Sequence, residues 1–534
     1  MARKLRSLLA LPLIVAGCAL FGGYYGPRVE AVAAAAAVDT DAPPPEPDIR
    51  TFVRAYALVA RNSADSVSPA KAIYRGAIPG MLQTLDPHSS FYDQKEYRML
   101  LDDQRGRYSG VGMAVEPRGD KTVVVAPFPG SPAYRVGLRP RDVIQSVDGR
   151  STEGLASSEV ADMLKGARGT VVTIVVAREG TPDSLSFTVV REDISRKTVS
   201  DAFWLKPGIA YLKILSFGEN TSRELDDNLN RLNENGLQGL VLDLRGNPGG
   251  LLNEAVDVAG RFLRKGQTVV SHRGRMSAER TLTARNGNRG RSYPIVALVN
   301  RNSASAAEIV AGALQDHDRA WILGETTFGK GLVQTVIALR DSTGLALTTA
   351  HFYTPSGRLI QRNYSGKTLY DYYYRQDGNP RDLNDVKMTD SGRIVYGGGG
   401  ITPDEDYAAP RPDALEAQLF RTGLFDFTRG YFAGHPPPTL PPGWMPDDAV
   451  LRQLHDFLVR RQYRFQESRF QEDRPWIARY LAREMYIYAF NVDQSDRVFA
   501  MTDPEVQRAV DAMPRAASLV EAARKTTLQR MRGQ

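Results

Sequence analysis

The residues able to do covalent chemistry cluster in 303–334. Ser303-Ala304-Ser305-Ala306-Ala307-Glu308-Ile309 opens an Ala/Leu run to Asp316, and Gly329-Lys330-Gly331-Leu332-Val333-Gln334 follows a short apolar stretch. A serine at a helix start and a lysine in a glycine-flanked turn are the parts of a Ser-Lys nucleophile pair. Just inside a helix N-terminus a serine gains from the dipole, and the next amide can donate to a developing oxyanion. Ser303 and Ser305 both qualify on these grounds, and Ser303 looks more like an N-cap. Lysine activates a serine only when neutral, which requires a desolvated site and a pKa brought toward roughly 7–8. Phe328, Leu332 and Val333 supply apolar neighbours. In a strand, Lys330, Leu332 and Gln334 share one face, so an uncharged Gln334 can orient the amine without raising its pKa.

Other chemistries fit less well. The six histidines show no H-E-x-x-H motif and no close ligand spacing, so no metal site is expected. No G-x-S-x-G elbow occurs. Gly324-Glu325-Thr326-Thr327-Phe328-Gly329-Lys330 matches the start of a phosphate-binding loop, but Gly331 stands where a Mg²⁺-binding hydroxyl is required. A strand pattern then follows in place of a phosphate-capping helix. No cofactor is expected.

The elements that must hold these residues alternate between strand and helix from Gly208 to Gly357. Ile209–Leu215 reads as a strand, and Thr221-Ser222-Arg223-Glu224 reads as a capping box opening a helix. Leu240–Leu244 is a continuous apolar strand of the kind buried on both faces, running into Arg245-Gly246-Asn247-Pro248-Gly249-Gly250. Ile295–Val299 and Trp321–Leu323 are further strands. This order predicts a layered α/β domain with a largely parallel sheet.

Residues 108–180 differ in character. Strands at Val111–Val115, Thr122–Ala126 and Asp142–Val147, with an Asp148-Gly149 turn, are followed by a helix at 157–164 and a strand at Val171–Val176. The loop Tyr108-Ser109-Gly110-Val111-Gly112, then Gly130-Ser131-Pro132-Ala133 and Gly137–Asp142, resemble a PDZ domain. Such domains take an extended C-terminal peptide as an added strand, the loop around Ser109, Gly110, Val111 and Gly112 holding its carboxylate.

The PDZ unit, Leu242–Gly250, Ser303–Ile309, Phe328–Gln334 and Thr354-Pro355-Ser356-Gly357 occur in that order over residues 50–408. Together they resemble the C-terminal processing (tail-specific) peptidases. The resemblance implies Ser305 as nucleophile, Lys330 as base and Gln334 as its orienting partner. It implies an oxyanion hole from a backbone amide of the Gly249-Gly250 turn and that of Ala306. The chain departs from the family pattern at Ala307, where a third serine is common. It departs again at Lys165 and Ala167, where Arg and Pro are usual.

The 534 residues require several domains. A composition of 42% hydrophobic and 24% charged residues excludes a disordered or polytopic membrane chain. The net charge of +7 is scattered, which argues against nucleic-acid binding. Arg3, Lys4 and Arg6 precede an apolar run from Leu8 to Tyr25, an export signal that is either cleaved or kept as an anchor. The single cysteine, Cys18, lies in a Val15-Ala16-Gly17-Cys18 sequence resembling a lipoprotein cleavage box and excludes an intrachain disulfide.

The expected architecture is multidomain α+β. It comprises a leader (1–30), an Ala/Pro-rich linker (31–47), a helical N-terminal domain (48–107), a PDZ domain (108–195), an α/β Ser-Lys peptidase core (196–408) and a helical C-terminal extension (409–534). His88, after Pro87, is expected to cap a turn. Asp503-Pro504 reads as N-cap and N1 of a late helix. The reading is an extracytoplasmic, inner-membrane-anchored bacterial serine endopeptidase acting on exposed C-terminal tails. Its last helices are available for self-association or an adaptor. A catalytically silent PDZ scaffold is the alternative.

Overall fold

The computed structural model describes residues 46–532 apart from Glu179, 375–381, 433–439 and Pro442. The leader, Cys18 and the linker up to residue 45 lie outside the described residues, as does most of the proline-rich 435–442 stretch. Among the described residues no helix is long and apolar enough to cross a membrane. The chain forms two units, one of residues up to Met99 with Gln334–Thr349, the other of Leu100–Val333 with Ala350–Gln534.

The larger unit begins with an antiparallel sheet of β1 (Met113–Arg118), β2 (Lys121–Pro127), β3 (Val143–Val147), β4 (Val171–Ala177) and β5 (Leu185–Val190), in that order. Alternation along β4 sends Val172, Ile174 and Val176 into one core with Val124 and with Val160 and Leu164 of helix α1 (Ser157–Leu164). Asp148 and Gly149 both take positive φ, 50° and 78°, as a tight Asp-Gly hairpin requires. Short strands Arg107–Gly110 and Glu192–Ser195 pair antiparallel where the chain enters and leaves. β1 starts two residues later than the sequence pattern predicts. The Val111 and Gly112 carbonyls instead accept from Ala133 and Phe128 amides, both at 2.9 Å.

A second sheet follows in spatial order β6 (Phe203–Lys206), β7 (Ile209–Lys213), β8 (Gly239–Asp243), β9 (Ile295–Val299), β10 (Trp321–Gly324). All neighbours from β7 onward are parallel. Helices α2 (Thr221–Arg231), α3 (Leu252–Gly260) and α4 (Ala306–Asp316) cover one face. Leu240 and Leu242 point to that side, while Val241 between them points to the other. Every residue of α4 is buried. The Thr221–Glu224 capping box is not formed. Asn220 occupies the N-cap, Thr221 lies inside the helix, and Glu224 reaches sideways to the Thr198 and Val199 amides at 2.7 and 3.0 Å. A cross-element pair of amides outcompeted the local cap.

After β10 the chain runs through β11 (Leu332–Ala338) and β12 (Gly344–Tyr353), returns as β13 (Glu405–Asp406) beside β10, and enters the extension. Helices α5 (Asp448–Arg460) and α6 (Arg474–Ala489) build their own core with Leu454, Leu458, Ile477 and Leu481. Helices α7 (Val492–Met501), α8 (Pro504–Asp511) and α9 (Met513–Arg532) behave differently. Ala500, Val506, Ala509, Val510, Met513 and Ala516 pack on Val241, Val296, Leu298 and Leu323, the second face of the parallel sheet. Asp503 caps α8 by accepting from the Glu505 amide at 2.9 Å, as its Asp-Pro start predicts.

In the smaller unit, Ser90–Tyr92 pairs antiparallel with Gly344–Ala346 of β12. In the turn before it, Asp86 acts as a cap. Asp86 Oδ1 accepts the His88 and Ser89 amides, both at 2.8 Å, because a short carboxylate reaches two residues along its own chain. Its helix Glu46–Asn62 begins inside the stretch expected to be linker.

Candidate active site

The parallel strand β8 ends at Asp243, and the turn beyond it is organised by one buried side chain. Asn247 accepts the Gly249 amide at 2.8 Å, donates to the Ile214 carbonyl at 2.9 Å, and offers its own carbonyl to the Ala304 amide at 2.9 Å. The turn is thereby fixed both to the end of β7 and to the segment entering α4. Gly249 and Gly250 take φ of 103° and 144°, conformations closed to other residues. A Cβ on Gly249 would lie 2.8 Å from Ser305 Cβ and 3.0 Å from the Ala306 nitrogen. The glycine turn and the serine motif, about fifty residues apart in sequence, are in contact.

Ser305 has φ 53° and ψ −112°, a strained position for a residue with a Cβ. Such backbone costs on the order of 1–3 kcal/mol and persists only where surroundings over-determine it. Here its carbonyl accepts the Glu308 and Ile309 amides at 2.9 and 3.0 Å, starting α4, while its own amide donates to Glu308 Oε2 at 2.8 Å. Ser305 remains partly exposed. Ser303 is fully buried, its hydroxyl donating to the Leu244 carbonyl and accepting the Asn300 amide, both at 2.9 Å. Ser303 therefore fastens β8 to β9, and its oxygen is committed to that task.

Lys330 lies before β11, between Gly329 at φ 83° and Gly331. Its amide donates to Glu308 Oε2 at 2.9 Å, and the Gly329 amide to Oε1 at 2.7 Å. The Thr327 hydroxyl donates to Oε1 as well, at 2.5 Å. Glu308 is thus wholly buried with four donors directed at it. Burial raises its pKa, and the four hydrogen bonds oppose that shift. Gly331 donates to Gln361 Oε1 at 2.8 Å and accepts from Phe352 at 2.9 Å, leading directly into a strand. No helix starts there, so the phosphate-loop pattern is incidental. Of the apolar neighbours expected around Lys330, Leu332 is buried, whereas the Phe328 ring lies under the Arg362 guanidinium, 3.7 Å from its centroid.

A model of peptidase family S41 matches residues 208–368, and a PDZ-domain model matches 123–178. The carboxy-terminal-processing protease of Bartonella bacilliformis is 40% identical over 294 residues, covering 54% of this chain and 67% of that one. The chain belongs to peptidase family S41. A carboxy-terminal processing protease of Bacillus subtilis is 32% identical over 375 residues, covering 66% of this chain and 75% of that one. Among solved structures, the photosystem II D1 C-terminal processing protease is 29% identical, covers 67% of this chain and 86% of that one, and has a TM-score of 0.35. The protein is a serine-type peptidase of the C-terminal processing kind with a PDZ domain.

In this S41 peptidase Gln334 stands on β11 within the smaller unit, where its side-chain nitrogen donates to the His88 carbonyl. In the PDZ domain β1 is an edge strand, paired only to β2 within its sheet. Val111 turns into the core and is 2% exposed. Ser109 and Gly110 lie in the short strand pair, and the Ser109 hydroxyl donates to Asp193 at 2.6 Å. Gly112, at φ 77°, takes the Ser131 hydroxyl on its carbonyl at 2.6 Å. The carbonyls of Ser109, Val111 and Gly112 are engaged inside the domain.

Glu308 is the site residue that motif reading passed over. Its signal was present, since Ser305-x-x-Glu308 is the spacing by which a helix-start glutamate reaches back to the serine amide.

Proposed function

We propose that the S41 peptidase cleaves proteins near their C-termini through an acyl-enzyme on Ser305, with Lys330 as the base and Gln334 orienting its amine. Ser305 Oγ attacks the scissile carbonyl carbon as its proton passes to Lys330 Nζ. The same proton then reaches the departing amine, and a water activated by Lys330 releases the ester. The oxyanion donors are the amides of Gly250 and Ala306. Gly249's amide is already bonded to Asn247, whereas the Gly250 N–H points opposite to the Gly249 carbonyl, which accepts the Phe217 amide at 2.9 Å. The observation that carries this reading is Ser305 itself, partly exposed at positive φ and packed against Gly249.

Substrate tails join the β1 edge, beside α1, as an added strand, with the amides of the 109–112 loop receiving the terminal carboxylate. The Arg3–Tyr25 leader supports action outside the cytoplasm. A fluorophosphonate probe tests the chemistry. It should label the wild-type protein and not Ser305→Ala, and equal labelling of both would sink the assignment. Paired substrates with free and amidated C-termini test the tail, and equal cleavage of the two would remove the PDZ role.

A further inference from the structure

Arg245, five residues before Gly250, joins the parallel sheet to the C-terminal extension. Its Nη2 donates to Asp243 Oδ2 at 2.7 Å and its backbone amide to Oδ1 at 2.8 Å, while the Tyr211 hydroxyl closes on Oδ2 at 2.7 Å. Asp243 is completely buried at the end of β8. Nε also faces Asp243, at 3.1 Å from each oxygen, while Nη1 leaves the sheet and donates to Glu505 Oε2 in the first turn of α8 at 2.6 Å and to Oδ2 of its cap, Asp503, at 3.1 Å. One rigid fork therefore spans the strand and the helix, a geometry that lysine could not reproduce.

From Arg245 onward the chain has no slack. Gly246 donates to Asn300 Oδ1 at 2.9 Å, Asn247 makes the three bonds described above, and Gly249 rests on Ser305. Three carboxylates around one guanidinium are a poor source of stability, because desolvating them offsets most of the attraction. Burial pushes the Glu505 carboxyl up to about 7 even though it touches Arg245. Such a cluster is better explained as fixing geometry than as holding the helix down, which Val506, Ala509 and Val510 already do by packing.

We propose that Asp503 and Glu505 of the C-terminal extension are positioning residues for acyl transfer, holding through Arg245 the 246–250 turn that lies on Ser305. The inference rests on the Ser305 acyl-enzyme reading. It makes helix α8 a working part of the active site, so the ionised Glu505 supports the competent turn. The charged and titratable groups facing Glu505 are Arg245 and Asp243 at the end of β8, Tyr407 after β13, and Asp503 at the cap of its own helix. Arg479 of α6 lies 3.9 Å from the same Asp503 Oδ2.

The test is the labelling kinetics of the full chain with a fluorophosphonate, comparing wild type, Glu505→Gln and Asp503→Asn, with Ser305→Ala in parallel. At pH 8 Glu505→Gln should lower the maximal labelling rate about tenfold with probe affinity within about twofold and no fall in Tm, and Asp503→Asn should act in the same direction. Near pH 5.5, where wild-type Glu505 carries its proton, wild type and Glu505→Gln should converge. Maximal rates within twofold of wild type at pH 8 in both folded variants would overturn the inference. A loss of rate that only follows a loss of Tm would do the same. Wild-type labelling that persists in Ser305→Ala would instead overturn the acyl-enzyme reading.

Discussion

The Ser305 and Lys330 amides donate to the same oxygen, Glu308 Oε2, at 2.8 and 2.9 Å. The two backbones can therefore be no further apart than two hydrogen bonds. Glu308→Gln keeps the volume but turns one acceptor oxygen into an NH₂ group facing N–H donors. An unsatisfied buried donor costs about 1–3 kcal/mol, so Tm should fall measurably. Labelling of Ser305 should fall at least tenfold, because strain at Ser305 is no longer contained. A variant with wild-type Tm and labelling would show that the clamp does not matter.

The two serines make opposite predictions. Ser305→Ala should abolish labelling and leave Tm nearly unchanged, since the Glu308 contact uses the backbone amide. Ser303→Ala should keep the nucleophile but orphan the Asn300 amide, while the Leu244 carbonyl keeps its bond from the Asn247 amide at 3.2 Å. That change should cost about 1–3 kcal/mol in chemical denaturation. Reversed outcomes would make Ser303 the nucleophile.

Gly250→Ala should be the more damaging of the two glycine changes. Its Cβ would stand 2.1 Å from the Phe217 carbonyl oxygen, a rigid backbone atom, whereas at Gly249 the nearest atom is Ser305 Cβ at 2.8 Å. Both variants also force an alanine into backbone space that glycine alone occupies. The expected order of residual labelling is wild type, then Gly249→Ala, then Gly250→Ala, with the Gly250 variant also losing Tm.

The sequence made the order of strands and helices in the core legible because each carries a clean period, and the resemblance in motif order favours Ser305 over Ser303. Local pattern failed where partners were distant. Glu224 sits at the right spacing for a capping box yet bonds across to Thr198 and Val199. The sequence shows residues 409–534 only as a helical extension, although α7 to α9 form the second cover of the parallel sheet. A physical clue existed in the unbroken apolar run Leu240-Val241-Leu242. A strand buried on both faces needs a layer on each, and α2 to α4 cover only one. No local period connects α8 to β8, so the role of Asp503 and Glu505 becomes visible only when the two are packed.

Titration of Glu505 should also be readable in stability, with a sign opposite to that of most ion-paired carboxylates. Burial raises its folded pKa from 4.5 to about 7, so the folded state holds the proton more tightly than the unfolded chain. This contribution favours folding fully below 4.5 and is lost as pH rises toward about 7. At one unit per 1.36 kcal/mol the loss is about 3 kcal/mol. Asp243 is shifted the other way, well below the ordinary carboxylate range: burial pushes its pKa up, but Arg245, Lys213 and the Tyr211 hydroxyl together outweigh that. Its stabilisation is therefore complete above the unfolded Asp value of 3.8 and stays constant across the Glu505 window. Buried Glu308 and half-buried His317, with raised pKa values, tilt the profile the same way as Glu505. Glu505→Gln separates them. Relative to wild type, the variant should gain stability as pH rises from 5 to 8, even as its labelling rate falls behind. Parallel profiles of the two proteins would mean that Glu505 is already ionised throughout that range.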